Sequence, residues 1–229
     1  MEQSYNGWPA SPNPERINAT WFTVPGLPTR KFRCVQVAHP LFKYLIRRFN
    51  AEVDPLLGGV MDEWSYAYRK ARAADALSCH ASGTAVDMDA TQFPMGRANM
   101  TAKQRKAVES ILAASRKQFR WGGSFRMPYT DEMHFELVKG TNPVTVKAAI
   151  ATMGLHDDGR VVKLDDLGVD HRMRVPLLKR ALADQGRFPK RLRYSPRWTP
   201  ALTTAVDAWI GQGSAQERLD RLGAVSQRF

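Results

Sequence analysis

From Pro40 the apolar residues recur at helical spacing, with Leu41, Leu45 and Phe49 in one row and Ile46 and Val53 beside it. This predicts a helix over about 40–53. It should close near Asp54-Pro55, because proline disfavours helix in the residue before it. A second helical run, about 101–119, opens on Thr101 as N-cap and turns Val108, Ile111, Leu112 and Ser115 inward. Asn142-Pro143-Val144 starts a third, to about Met153. Between these runs the period drops to two. Residues 32–37 read as a short strand, 64–69 as an aromatic strand, and 119–121 as a strand broken by Gly122-Gly123. Thr84, Val86 and Met88 alternate with Ala85, Asp87 and Asp89, so the first set faces a core and Asp87 the opposite side. Met133, Phe135 and Leu137 alternate with His134 and Glu136 in the same way.

The ends of the chain read differently. Residues 1–30 are rich in Pro, Asn and Gly and predict an ordered but irregular arm, with Trp8 and Trp21 as pinning residues. Gly58-Gly59 marks a turn. Around 154–168 the pattern gives way to Gly and Asp, which marks a linker. Beyond it Val175, Leu177, Leu178, Ala181 and Leu182 make one amphipathic helix, and Leu202, Val206, Trp209 and Ile210 another. Ser214-Ala215-Gln216-Glu217 is a capping box that opens a third. The expected organisation is a first domain over 1–154, a linker over 155–170 and a small all-α module over 171–229.

Composition narrows the classes. An apolar content of 43% in 229 residues supports a core. No apolar run approaches the length of about 18 residues that a membrane-crossing helix needs. The first residues lack the basic-then-apolar pattern of a signal peptide, so the expectation is synthesis in a cytoplasm and release by another agent. Two cysteines, Cys34 and Cys79, make no disulfide framework. A net charge of +12 favours a polyanionic partner: nucleic acid, anionic lipid or an acidic wall polymer. Nine Lys or Arg against the single acid Asp184 fall between His171 and Trp198.

The candidate chemistry lies in two stretches. Ser78-Cys79-His80-Ala81-Ser82-Gly83-Thr84-Ala85-Val86-Asp87 sets an imidazole and a carboxylate on either side of a glycine, and Asp131-Glu132-Met133-His134-Phe135-Glu136 supplies a second imidazole. His80, Asp87 and His134 suffice for a zinc site with one position open for water. Asp131, outside the strand alternation, can lean over that position as general acid and base. Arg69 offers a fixed cation for an oxyanion or a substrate carboxylate. Glu136 shares a face with His134, either as a partner holding the imidazole or as a competing ligand, with the first favoured. Asp89 is a further partner or solvated, Glu132 points to solvent, and Cys79 reads as packing. His39, His156 and His171 read as packed or surface histidines. Ser78 and Ser82 lack the Gly-x-Ser-x-Gly elbow of a serine nucleophile. No phosphate-binding glycine loop and no nucleic-acid recognition motif is present.

Together, Ser78-x-His80-x-x-Gly83-x-Ala85-x-Asp87, Trp121-Gly122-Gly123 and Asp131-x-x-His134-Phe135-Glu136 resemble the M15 zinc peptidases, the D-alanyl-D-alanine carboxypeptidases and L-alanyl-D-glutamate endopeptidases. With Tyr68-Arg69-x-x-Arg72 and Asn6-Gly7-Trp8-Pro9, the likeness extends to the peptidase domain of phage endolysins, notably those attacking actinobacteria, over about residues 5–150. The resemblance implies an α+β fold, a small antiparallel sheet flanked by helices of the hedgehog/D-Ala-D-Ala-peptidase type. It implies Zn2+ on His80, Asp87 and His134, Asp131 as acid/base, and Arg69, or less strongly Arg72, as the arginine. Cys79 and Asp89 stand where asparagine is common in that family. The last module has the cadence of a helical peptidoglycan-binding repeat. The implied function is a peptidoglycan-degrading endolysin, a monomer that cuts a stem-peptide amide, with L-Ala-D-Glu endopeptidase ahead of D-Ala-D-Ala carboxypeptidase. A non-catalytic zinc-holding wall binder is the reading from another class. Peptidoglycan is the expected partner, anionic wall polymers a second, and nucleic acid is disfavoured.

Overall fold

The computed structural model describes residues 1–56, 61–72 and 74–161. The turn expected at Gly58-Gly59 and the helical module over 171–229 lie outside them, as does the linker beyond residue 161. The described residues fall into two units. One holds Met1–Ala149 with Asp157–Arg160, and Ile150–His156 and Val161 belong to the other. The architecture is α+β, with three α-helices and three small antiparallel sheets among the described residues. No helix there is long and apolar enough to cross a membrane.

Strands β1 (Glu2–Gln3) and β2 (Pro9–Ala10) pair in the N-terminal arm. β3 (Ala19–Val24) and β4 (Leu27–Val35) form a hairpin, and helix α1 (His39–Glu52) follows. β5 (Ala85–Asp87), β6 (Phe119–Trp121) and β7 (His134–Leu137) make the sheet that matters for function, in the order β5-β7-β6. Helix α2 (Ala102–Ala114) precedes β6, and α3 (Pro143–Met153) follows β7. The core forms where α1 meets this sheet. Phe42 packs on Phe119 at 5.3 Å and Phe49 meets Phe135 edge-on at 5.8 Å, between ring centroids. Phe32, Phe42, Phe49, Phe135, Leu41 and Leu45 are all fully buried, which makes this cluster the main source of hydrophobic stabilisation.

Four expectations need correction. The arm is more regular than its composition predicts, because Ala19–Val24 is a full strand of the β3–β4 hairpin. The turn Pro25-Gly26 closes it, with Gly26 at φ 88, a conformation open to glycine. Trp8 is buried and its indole N–H donates to Thr141 Oγ1 at 3.0 Å, but Trp21 is 61% exposed, with the Arg33 guanidinium over its ring at 5.7 Å. Residues 64–69 do not form a strand. Their N–H groups are shared among three neighbours: Trp64 donates to Asp87 O, Tyr66 to Arg33 O and Ala67 to His80 O. No single strand lies alongside to make a ladder. Helix α2 also stops at Ala114, short of the predicted end, because Arg116 and Lys117 take positive φ. Its N-terminus is the capping box of Thr101 with Gln104.

Candidate metal centre

The register of β5 on β7 builds the site. Asp87 lies directly opposite His134, and Ala85 opposite Glu136. The flanking hydrogen bonds run from Met88 N–H to Met133 O and from Leu137 N–H to Thr84 O. Asp87 and His134 are therefore a pair without mutual backbone bonds, the kind whose side chains approach most closely. The backbone of Asp87 turns to the other side, exchanging bonds with Trp64 at 3.0 and 2.8 Å. Phe135 enters the core while His134 and Glu136 share the site face.

His80 arrives from a 3₁₀ turn over Cys79–Ser82. Ser78 caps it, accepting from His80 N–H, and Gly83 ends it in the left-handed region at φ 64. A Cβ on Gly83 would stand 3.1 Å from Val35 N and 3.2 Å from Ala19 Cβ, so glycine also lets the turn press against the hairpin. The N-terminal arm locks the turn from behind. Asn6 Nδ2 donates to Thr84 Oγ1 and Leu137 O, and Ser4 Oγ reaches Ser82 Oγ at 2.8 Å. Ser82 and Thr84 are fully buried in this network, so Ser82 has a structural role.

Three ligand atoms converge. His80 Nε2 lies 3.1 Å from Asp87 Oδ1 and 3.2 Å from His134 Nδ1, and His134 Nδ1 lies 2.8 Å from the same oxygen. All three residues are buried. The outer ring nitrogens are each occupied: His80 Nδ1 by Ser65 O at 2.5 Å, and His134 Nε2 by Glu136 Oε2 at 3.1 Å. If those nitrogens carry the protons, both imidazoles turn lone pairs inward onto a carboxylate, three acceptors with no donor among them. Such a centre demands a cation. Tetrahedral zinc with ligands at about 2.0–2.1 Å would set them about 3.3–3.4 Å apart, so the residues fit the metal with small adjustment. Without metal, a proton takes its place. Burial opposes a charged His134, but its bonds to Asp87 and Glu136 push its pKa up to about 10. Burial likewise opposes the Asp87 carboxylate, yet His80 and His134 hold it well below the usual range.

Asp131 sits in the turn before β7. Its backbone N–H donates to Gly122 O, and its carbonyl accepts from His134 N–H. Its Oδ1 is buried and accepts no hydrogen bond. Burial and the Asp87 charge raise its pKa, against the cations of His134, Arg72 and His80. Gly122 permits this placement, since a Cβ there would stand 2.3 Å from Asp131 O and 3.1 Å from His134 Cβ. Arg69 and Arg72 are both exposed and both line a cleft of about 670 Å³ that contains the three-residue group and Asp131. Of the two, Arg72 is the one whose charge acts on Asp131.

Other expected residues lie elsewhere. Asp89 joins Asp62 and Glu63 in a separate carboxylate group. Glu132 does not point to solvent: it is fully buried, pairs with Arg105 at 2.5 Å and accepts the N–H groups of Asn99 and Met100. Cys79 is outside the convergent group, its thiol pKa raised by burial and then by the neighbouring Glu136 carboxylate. The sequence reading missed Arg120, which faces Glu136 Oε1 at 3.2 Å and lies 4.3 Å from the Phe125 ring centroid. Its place opposite Glu136 follows from the β6–β7 register, and strand parity alone offered a signal for it.

Residues 71–137 match the sequence model of an M15 peptidase family described as D-alanyl-D-alanine carboxypeptidase. The matched segment contains His80, Asp87, Asp131, His134 and Glu136 and ends with the last residue of β7. No curated protein and no solved structure matches the chain. A segment that matches an M15 peptidase family and carries a buried His-Asp-His group has the equipment of a metallopeptidase.

Proposed function

We propose that this chain is a zinc-dependent peptidase that hydrolyses an amide bond in the stem peptide of peptidoglycan, as the L-alanyl-D-glutamate endopeptidase of a phage endolysin. The observation that carries the reading is the convergence of His80 Nε2, Asp87 Oδ1 and His134 Nδ1 beside a buried Asp131 oxygen without a hydrogen bond. When bound, zinc supplies Lewis acidity, polarising the amide carbonyl and bringing the pKa of water towards about 7. Asp131 Oδ1 takes a proton from the attacking water and returns it to the leaving amine nitrogen as the C–N bond breaks. Glu136 holds the His134 ring through Nε2, and Ser65 O holds His80 through Nδ1. Arg72 and Arg69 present positive charge to an anionic group of the stem peptide.

A D-Ala-D-Ala carboxypeptidase is the second reading. The matching family, described as D-alanyl-D-alanine carboxypeptidase, favours it, and the two cleft arginines suit a terminal carboxylate. The proposal also takes the 171–229 module as a wall-binding element, its positive charge suited to anionic polymers. It has the protein acting as a monomer on the wall after release from the host cytoplasm. Mass spectrometry of peptides released from purified peptidoglycan separates the readings. New amino-terminal glutamate marks the endopeptidase, and free alanine the carboxypeptidase. Asp131→Ala should retain one zinc and lose hydrolysis by about 10²–10⁴-fold. Undiminished hydrolysis by that variant would overturn the assignment, and zinc retention with no hydrolysis by the wild type would support a non-catalytic wall binder.

A further inference from the structure

A second carboxylate group flanks the Trp64–Asp87 bridge along the chain. Asp62 and Glu63 precede Trp64, and Asp89 follows Asp87 by two residues. Oxygens from the three lie within 4.8 Å of one another. Asp89 is only 8% exposed, and its Oδ2 is buried without a hydrogen-bond partner. Glu63 Oε1 is likewise buried and accepts no hydrogen bond, though Arg30 Nε faces it at 3.2 Å. Asp62 Oδ2 accepts the Thr91 N–H at 2.6 Å. The Arg30 guanidinium is shared, because it also donates to Leu56 O. The guanidinium faces Glu63, and both Glu63 and Asp89 keep a buried oxygen that no hydrogen-bond donor satisfies. Such oxygens are strongly unfavourable unless a cation meets them.

We infer that Asp62, Glu63 and Asp89 bind a calcium ion. The all-oxygen donor set is that of a hard cation. Calcium accepts an irregular set of carboxylate oxygens with flexible geometry, whereas magnesium demands a near-ideal octahedron and keeps most of its waters. Glu63 and Arg30 also line an open surface groove of about 900 Å³. The site has a consequence for the metal centre. Residues 64 and 87 exchange both backbone bonds, and Ser65 O holds His80 Nδ1. Calcium joining 62–63 to 89 clamps both ends of that bridge. It therefore stiffens the platform that carries two of the proposed zinc ligands, while its own binding is independent of them.

The test is thermal melting of the zinc-loaded full chain in CaCl2, MgCl2 and NaCl of matched ionic strength, with bound calcium counted by equilibrium dialysis. Calcium at about a hundredfold above its Kd should raise Tm by about 5–10 °C, and magnesium by less than half of that. One calcium per chain should be counted. Asp89→Asn and Glu63→Gln should lose the calcium increment and keep their zinc, and His134→Ala should keep the increment. Equal melting in CaCl2 and NaCl, with no calcium counted, would overturn the inference and leave Arg30 as the neutralising group. So would an increment that persists in Asp89→Asn and vanishes in His134→Ala, which would place calcium among the histidines. That last outcome leaves the peptidase reading standing, and loss of hydrolysis in Asp131→Ala leaves the calcium site standing.

Discussion

Replacing Glu136 by glutamine tests whether this residue holds His134 or binds metal itself. In the structure one carboxylate oxygen accepts the His134 Nε2–H at 3.1 Å and the other faces Arg120 Nη1 at 3.2 Å. A glutamine has one acceptor and one donor end for these two donors. With its oxygen toward His134, its amide opposes the Arg120 guanidinium. Reversed, it opposes the imidazole N–H and favours the tautomer that points a proton at Asp87. In both cases a charge-assisted bond of about 1.5–3 kcal/mol falls to the 0.5–1.5 of a neutral one. Zinc affinity should therefore fall about 10–100-fold. Competition against a chelator of known affinity reads this directly, with circular dichroism to confirm the fold. An unchanged affinity would refute the holding role. A loss beyond about 10³-fold would make Glu136 a ligand, since removing a residue that only orients one costs less.

Three further outcomes follow from the same geometry. Asp131 must be deprotonated to accept a proton, so kcat/KM should rise with pH through its pKa, which burial raises and a bound zinc ion lowers. Arg72→Ala, which removes a cation that lowers that pKa, should move the rising limb to higher pH, whereas Arg69→Ala should leave it in place; a limb unmoved by Arg72→Ala rejects the assignment. Gly122→Ala forces a Cβ to 2.3 Å from Asp131 O, so it should cost about 1–3 kcal/mol in denaturant melts and about 10²-fold in kcat, and wild-type kinetics would show that the turn is not held there. In chelated protein His134 has a folded pKa of about 10, above its unfolded value of about 6.5. Its contribution to stability is complete below about 6.5 and is lost as pH rises through about 10. Tm should fall across that window, and a flat profile in the chelated wild type would contradict the proton-filled centre.

How much of this was legible in the chain depended on whether one neighbour or several decided a residue's fate. Helix α1 was legible because its buried residues recur at a single helical period. The parity of His134 and Glu136 was legible for the same reason: Phe135 and Leu137 need the core, so their neighbours turn away from it. The β3 strand was missed because Thr20 and Trp21 are both exposed, which breaks its alternation and with it the period-two signal. Residues 64–69 have strand composition, yet their donors go to three different partners, and composition carries no information about partners. Glu132 shows this most plainly. It sits two residues before His134, where parity alone assigns it to the site face. It instead crosses to Arg105 on α2 and to the backbone that leads into that helix. A buried carboxylate goes where donors can satisfy it, and those donors lie about thirty residues away in the chain. The pairing of Asp87 with His134 is of this second kind. Each strand declared its own parity, but only the register, with Val86 buried and Phe135 packed on Phe49 of α1, put the carboxylate opposite the imidazole.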